Sequence, residues 1–254
     1  MPFGGKNQLT PPEVMAAKVP MLKGETTTAT LMSYGYNPKI AKWSPFHGAV
    51  YAVVESLAKI VAAGGDYTKV RLTFQEYFEK LGTAPEKWGK PFAALIGAFK
   101  AQMEMGVAAI GGKDSMSGTF MDIHVPPTLV SFAVDTAKVE DIISPEFKAA
   151  GSTVVYLPVK RDEYDVPDFD YLKEMFVLVH SLIKKGICIE LAEVCFNTSN
   201  GKIHLRHLPC CWVGVLTKDG NLVDVAAVIL DEFCRLDEHT ARATARVINT
   251  SIKR

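Results

Sequence analysis

The hydrophobic positions of the chain fall into three stretches that have the period of an α-helix. Residues 46–63 carry apolar side chains at helical spacing, and Gly64-Gly65 directly after them tolerate the left-handed backbone at which helices end. Residues 169–185 show the same period behind Asp168, a residue type that caps helix N-termini. A third helix is expected over residues 91–105, because its first residue is a proline, whose missing N–H costs nothing there.

Shorter apolar runs between these helices predict strands. Residues 69–73 alternate apolar and polar side chains, as a half-exposed strand does, and other runs are rich in β-branched residues. The predicted strands are residues 28–34, 69–73, 107–110, 128–134 and 153–159. This succession of helices and strands indicates an α/β protein in an α+β layout, with a sheet packed against helices.

The periodic pattern is interrupted between residues 151 and 168, where Pro158 and Pro167 lie among charged residues. Such a break predicts a boundary between two subdomains, residues 1–150 and residues 151–254. No internal repeat or low-complexity tract is present in the sequence.

The charge and the apolar runs of the chain argue against several classes of partner. Its 28 basic and 28 acidic residues cancel, and no basic cluster interleaves with aromatic residues, so nucleic acid is not an expected partner. No run reaches the roughly 18 apolar residues of a membrane helix, so no membrane role is expected. Five cysteines, an odd number, favour free thiols in a reducing, cytoplasmic compartment.

The segment Gly111-Gly-Lys-Asp-Ser-Met-Ser-Gly118 carries residue types that suit a nucleotide. Glycines let the backbone approach a phosphate closely. Lys113 can neutralise phosphate charge, Asp114 can hold Mg²⁺, and Ser115 can donate a hydrogen bond to a phosphate or ribose oxygen. The segment is not a Walker A sequence, and as a bare pattern an ordinary glycine-rich turn is the favoured alternative.

Glu55 and Lys59 lie four residues apart on the first predicted helix and therefore share one surface strip. The spacing favours a solvent-facing ion pair, worth about 0.3–0.5 kcal/mol, over a metal-binding role for Glu55. His47, just before the apolar stretch, is expected at the helix start or in packing rather than as a catalytic base.

Two further kinds of site are not expected. No Gly-x-Cys-x-Gly or Gly-x-Ser-x-Gly motif is present, so the chain carries no recognisable acyl-transfer nucleophile. Ligand types do cluster in the last third of the sequence, but adjacent cysteines fit a structural zinc site poorly. The clustered residues are His204, His207, Cys210 and Cys211.

Three segments form a set that is more specific than any one of them. They are Trp43-Ser-Pro-Phe-His-Gly-Ala-Val-Tyr-Ala-Val-Val-Glu-Ser, Arg71-Leu-Thr-Phe-Gln-Glu-Tyr-Phe and Gly111-Gly-Lys-Asp-Ser-Met-Ser-Gly-Thr-Phe. Together they resemble the large, single-chain phosphoribosylformylglycinamidine synthases, and the resemblance runs through residues 1–185. In that context a nucleotide becomes the favoured ligand of the Gly111 segment.

The resemblance implies an AIR-synthase-like fold and an internal fragment of the second AIR-synthase-like half of such an enzyme. Residues 1–150 would form its mixed-sheet subdomain, and residues 151–254 a truncated α/β subdomain whose tail departs from the family after about residue 186. We hypothesise that this tail comes from a frameshift or a misassembled reading frame.

The resemblance also implies an activity. The family is a carbon–nitrogen ligase of purine biosynthesis, which uses ATP, Mg²⁺ and glutamine to convert formylglycinamide ribonucleotide into formylglycinamidine ribonucleotide. Its catalytic histidine lies in the first half and its glutaminase residues in a third region. This chain alone is therefore expected to be inactive, with the remaining parts of the synthase, or a second copy of itself, as its partner.

Individual roles are carried over position by position. The resemblance assigns Gly112 to nucleotide binding, and Gly111 flanks it. Lys113 replaces a neutral, metal-ligating Asn of the small-subunit synthases, and a direct phosphate contact is the alternative role for it. The resemblance assigns the Ser115 hydroxyl to the ribonucleotide substrate, and the Ser117 hydroxyl of the same segment is expected to bind this substrate too.

The resemblance places a metal ligand at Glu55, and Asp114 is a second expected ligand because its carboxylate can hold Mg²⁺. Lys59 stands where the family has a second metal ligand, usually Asn, and an ammonium has no lone pair to offer. Two alternatives remain open from the sequence. One is a non-catalytic half-domain that holds a nucleotide and braces the catalytic half. The other, weaker, is a different member of the superfamily, such as selenophosphate synthetase or thiamine-phosphate kinase.

Overall fold

The fold is given by a computed structural model that describes residues 13–144, 153–193, 196–199, 202–205 and 211–216. The helices are α1 (Pro38–Trp43), α2 (Pro45–Ala62), α3 (Pro85–Met105) and α4 (Phe169–Lys184). The strands are β1 (Val14–Lys18), β2 (Thr28–Gly35), β3 (Arg71–Tyr77), β4 (Ala108–Lys113), β5 (Thr119–Phe120), β6 (Ile123–His124), β7 (Thr128–Lys138), β8 (Thr153–Pro158), β9 (Cys188–Glu193), β10 (Phe196–Ser199), β11 (Lys202–Leu205) and β12 (Cys211–Leu216).

A five-stranded mixed sheet in the order β1-β2-β7-β3-β4 forms the larger layer. The β3–β4 pair is parallel, whereas the three other pairs are antiparallel. A parallel pair needs a crossover connection, and α3 provides it between β3 and β4. The predicted fold class, a mixed sheet packed with helices, is confirmed.

Within the part of the chain that the structure describes, helices cover one face of this sheet and the other face is open. Along β2, β3 and β7 every second side chain is buried, and Leu31, Leu72 and Ala133 belong to the buried core. Helix α2 is buried along nearly its whole length from Gly48 to Val61, because it packs against both the sheet and α3. The core therefore lies between the sheet and this helical layer.

Local chemistry explains why α2 and α4 begin and end where they do. The Ser44 hydroxyl accepts a hydrogen bond from the His47 N–H (3.3 Å) at the start of α2, and Gly64 after its end has φ +103°. The Asp168 carboxylate accepts from the Tyr171 N–H (3.0 Å), which confirms the predicted cap of α4.

Several predicted boundaries are wrong, and two of them concern α3 and β4. Helix α3 begins at Pro85 rather than Pro91, because Pro85 supplies the first-turn proline and Pro91 lies inside the helix. The pair Gly111-Gly112 belongs to β4 rather than to a loop, since Gly111 and Gly112 pair with Thr73 and Phe74 of β3. Strand β1 and helix α1 have no counterpart in the sequence prediction.

The second part of the chain forms a smaller antiparallel sheet in the order β8-β12-β9, next to α4. Helix α4 packs against the larger part through Phe176, whose ring lies 5.5 Å from that of Tyr67. The predicted boundary at residues 151–168 stays a prediction. The side chains of His204, His207, Cys210 and Cys211 lie outside the described part of the chain.

Candidate nucleotide site

The site predicted at Gly111–Ser117 lies where β4 ends and turns back over β3. Ile110 is an extra residue at a register shift between β3 and β4. A Cβ on Gly112 would lie 2.8 Å from the Phe74 carbonyl oxygen, so the close strand pairing requires glycine there. A Cβ on Gly111 would meet no atom within 4 Å, which leaves its exposed backbone open to a ligand.

Backbone hydrogen bonds hold the loop after β4 in place. The Phe78 N–H donates to the Ser115 carbonyl (2.8 Å), and the Gly118 N–H donates to the Phe78 carbonyl (2.9 Å). The hydroxyls of Ser115 and Ser117 lie 3.1 Å apart. Polar side chains are therefore presented from a fixed backbone, as a binding loop requires.

Three side chains of the loop face solvent, whereas the side chain of Glu76 on the neighbouring strand is mostly buried. Lys113, Asp114 and Ser117 are exposed, whereas Glu76 near the end of β3 is 9% exposed. Burial raises the pKa of Glu76, and the negative charge of Asp114 raises it further. Within the described residues the Glu76 carboxylate has no hydrogen-bond or ion-pair partner.

Glu55 is engaged by protein groups through both carboxylate oxygens. Its Oε1 accepts from Lys59 Nζ at 2.7 Å, and its Oε2 accepts from the Tyr36 N–H at 3.0 Å. Lys59 Nζ also lies 3.0 Å from Glu13 Oε2. The predicted Glu55–Lys59 ion pair is confirmed, but its predicted exposure to solvent is wrong, since the two side chains are 15% and 4% exposed.

The predicted site residues lie at one end of the sheet, but they do not all contact one another. Gly35 at the end of β2 pairs with Ser131 of β7, and Tyr77 at the end of β3 pairs with Thr128. Glu55 packs beside Gly35 at the end of β2, whereas the loop after β4 lies three strands away at the same end of the sheet. In the described part of the chain no hydrogen bond or ion pair connects Glu55 with this loop.

The donors fit Mg²⁺ only in part. Among the described residues no three His, Cys, Asp or Glu side chains form a group that could hold a metal. Mg²⁺ commonly binds through one or two carboxylates together with nucleotide phosphates and water. Asp114 with Glu76 matches that pattern, whereas the ammonium of Lys59 already neutralises Glu55.

Sequence reasoning missed Glu76, although a signal was present. The predicted strand ended at Thr73, but the alternation of buried and open positions continues through Phe74 and Glu76. Extending the pattern by two pairs would have placed Glu76 on the buried face.

Two other features lie away from this loop. His47 Nδ1 lies 2.8 Å from Ser44 Oγ, and its Nε2 lies 2.9 Å from the Tyr164 carbonyl, which confirms its predicted place at the helix start. A cavity of about 300 Å³ opens at the opposite end of the sheet, where Thr28, Lys138 and other residues line it, and none of the predicted site residues does.

A mixed five-stranded sheet with helices on one face defines the AIR-synthase-like fold, and this chain has it. Phosphoribosylformylglycinamidine synthase II from Thermotoga maritima is similar with a TM-score of 0.58 and 16% identity, over 80% of this chain and 34% of that one. T. maritima PurL complexed with ADP is similar with a TM-score of 0.60 and 16% identity, over 84% of this chain and 36% of that one. PurLQS from T. maritima is similar with a TM-score of 0.59 and 15% identity, over 82% of this chain and 34% of that one.

These likenesses confirm the resemblance drawn from the sequence at the level of the fold. The chain spans about a third of the length of the chains it matches. No known protein-family description matches the sequence. No curated protein matches it either. None of the described helices is both long and apolar enough to cross a membrane.

Proposed function

We propose that the chain is a nucleotide-binding piece of a phosphoribosylformylglycinamidine synthase. The whole enzyme would be a ligase that uses ATP and glutamine to convert formylglycinamide ribonucleotide into formylglycinamidine ribonucleotide. Support comes from the shared fold and from the sequence segments that resemble this family, above all the one beginning at Gly111. The T. maritima protein of the same fold has been solved with ADP bound.

The observation that carries the proposal is the anchored loop at the end of β4. Exposed backbone at Gly111 and Gly112 gives phosphate oxygens close access, and Lys113 next to it offers a positive charge. Ser115 and Ser117 would donate to ribonucleotide oxygens. These residue types are what an anionic nucleotide needs, and backbone hydrogen bonds fix the loop that carries them.

Mg²⁺, with Asp114 as a ligand, would neutralise charge that develops on a transferred phosphoryl group. The assignment of Glu55 to the same ion stays a prediction. The chain's own residues bind and orient the nucleotide, while the groups that would perform the chemistry belong to other parts of the synthase.

The partner we propose is the remainder of the synthase, meaning a first AIR-synthase-like half and a glutaminase domain. The chain spans only about a third of the T. maritima chains, and PurLQS is an assembly of that family. The face of the large sheet opposite α2 carries exposed apolar side chains, which a homologous sheet would cover.

A second candidate is a half-domain that holds a nucleotide without turnover and braces the catalytic half. The observation that favours it is the Lys59 ammonium, which lies 2.7 Å from Glu55 where the family resemblance expects a metal site. ADP that remains bound through dialysis, with no ATP hydrolysis, would support this candidate over a catalytic role.

Calorimetric titration of the chain with Mg·ADP tests the proposal. We expect binding, and we expect Lys113→Ala to weaken it about tenfold, equivalent to about 1.4 kcal/mol. The matched control is Lys138→Ala, which removes an exposed lysine at the opposite end of the sheet and should leave the affinity unchanged. Absence of binding, or equal effects of the two substitutions, would contradict the proposal.

A further inference from the structure

We propose that the divalent cation accompanying the nucleotide is held by Glu76 and Asp114, rather than by Glu55. This inference rests on the proposed function and names the ligands of its metal. It follows from the position of a buried carboxylate that sequence reasoning did not single out.

The carboxylates of Glu76 and Asp114 belong to residues at neighbouring positions where β3 and β4 end. Gln75 of β3 pairs in parallel with Lys113, the last residue of β4, so Glu76 is the next residue of β3 and Asp114 is the first residue after β4. Gln75 Nε2 donates to the Lys113 carbonyl (3.3 Å), which holds the strand ends together. After burial, the negative charge of Asp114 is the second cause of the raised pKa of Glu76.

Within the described residues, the Glu76 side chain has no hydrogen-bond or ion-pair partner. It is 9% exposed, and the part of the chain that the structure describes supplies no cation or N–H donor to its side chain. Buried carboxylates are normally paired or bound to a metal, and a second carboxylate nearby makes an unpaired one more costly. A divalent cation between Glu76 and Asp114 removes both costs.

Glu55 differs from Glu76 because its carboxylate already pairs with a lysine. A cation placed on Glu55 would lie beside the Lys59 ammonium, 2.7 Å from the same carboxylate, and would be repelled by it. Lys59 is 4% exposed and also pairs with Glu13, so its charge is held in place. Glu55 is therefore held by a lysine and a backbone N–H, whereas Glu76 has neither kind of partner among the described residues.

The coordination chemistry suits this arrangement. Mg²⁺ binds through one or two carboxylates and keeps water or phosphate oxygens at its other positions. Glu76 and Asp114 would supply the protein ligands, and the phosphates of a nucleotide lying on Gly111 and Lys113 would supply others. Neither carboxylate alone makes such a site.

The test uses Mn²⁺ as the probe, with bound and free Mn²⁺ measured by electron paramagnetic resonance in the presence of ADP and the full chain. We expect Glu76→Gln and Asp114→Asn each to weaken Mn²⁺ binding at least about tenfold, the effect that even outer-shell partners of a metal can have. Glu55→Gln should leave Mn²⁺ affinity unchanged, as should the control Asp122→Asn, an exposed carboxylate in the β5–β6 turn. Circular dichroism checks that the Glu76 variant folds, and exposed Asp114 offers an independent second position.

Two results would overturn the inference in different ways. If the wild type binds Mn·ADP and the Glu76 and Asp114 variants bind Mn²⁺ equally well, the metal ligands are elsewhere and the proposed function stands. If the wild type binds no Mn·ADP, the proposed function is wrong and the inference is wrong with it.

Discussion

At the scale of single residues, Glu79 shows how strongly this fold holds a buried charge. Its side chain is 5% exposed and forms ion pairs with Lys90 and, at 3.0 Å, with Lys87, both on α3. His124 Nδ1 lies 3.6 Å from the same carboxylate. Hydrogen bonds from Lys90 and Lys87 lower the pKa of Glu79 from 4.5 to about 2.

The lowered pKa of Glu79 predicts a loss of stability in acid. Because the unfolded chain takes up this proton at a higher pH than the folded one, the contribution is complete above pH 4.5 and is lost as pH falls towards 2. Glu79→Gln should make the free energy of unfolding less dependent on pH in that window. Urea unfolding at several pH values measures this, with exposed Glu174→Gln as the control, and equal slopes for wild type and Glu79→Gln would contradict it.

At the scale of elements, the crossing of α2 and α3 depends on a helical glycine. A Cβ on Gly97 of α3 would lie 2.1 Å from the carbonyl oxygen of Phe46 in α2. Glycine is otherwise disfavoured inside helices, so the close approach of the two backbones explains its presence. Gly89 on the same helix has no atom within 4 Å of such a Cβ and provides a matched comparison.

The two glycines should respond in opposite directions to alanine. Gly97→Ala is expected to lower the free energy of unfolding by about 1–3 kcal/mol, because α2 and α3 must move apart. Gly89→Ala should raise it by up to about 1 kcal/mol through helix propensity. Denaturant unfolding of both variants checks this, and a stabilised Gly97→Ala would show that the helices do not cross so closely.

The elements also show what the sequence could and could not predict. Helices α2 and α4 were predicted because a buried face repeats along the chain and Asp168 caps α4. The early start of α3 was missed because two prolines compete as its first residue and only packing decides between them. Strand β1 was missed because its position depends on pairing with β2, and most of its side chains are exposed.

The candidate site, like the fold, could be predicted only in part from the sequence. Its loop could be predicted because the residues from Gly111 to Ser117 are contiguous in sequence. The Glu55–Lys59 contact followed from helical spacing, but its burial could not, since it arises where Gly35 lets β2 approach α2. Glu76 reaches the site only through the pairing of β3 with β4.

At the scale of the whole molecule, we connect the open face of the large sheet with assembly. It is an apolar surface that the described residues leave uncovered. Met32, Phe132 and Ile110 on this sheet are 43%, 40% and 74% exposed. Among the described strands, β1 and β4 are the edges of this sheet, and an edge strand can pair with another chain. Apolar surface of this kind favours association.

We therefore expect the isolated chain to dimerise or aggregate. The double substitution Met32→Lys/Phe132→Lys should shift light-scattering mass towards the monomer, because two charges cannot be buried cheaply in an apolar contact. Val177→Lys on α4 is the control, since it replaces an apolar residue elsewhere that is 56% exposed. A wild type that stays monomeric at high concentration would contradict this expectation.

The central claim is that the loop after β4 binds a magnesium nucleotide, and paramagnetic broadening of NMR signals by Mn·ADP tests it most directly. The account predicts that amide signals of residues 111–117 broaden at substoichiometric Mn·ADP, while those of Thr28 and Lys138, at the opposite end of the sheet, keep their width. Broadening confined to that opposite end, or no broadening anywhere, would contradict the account.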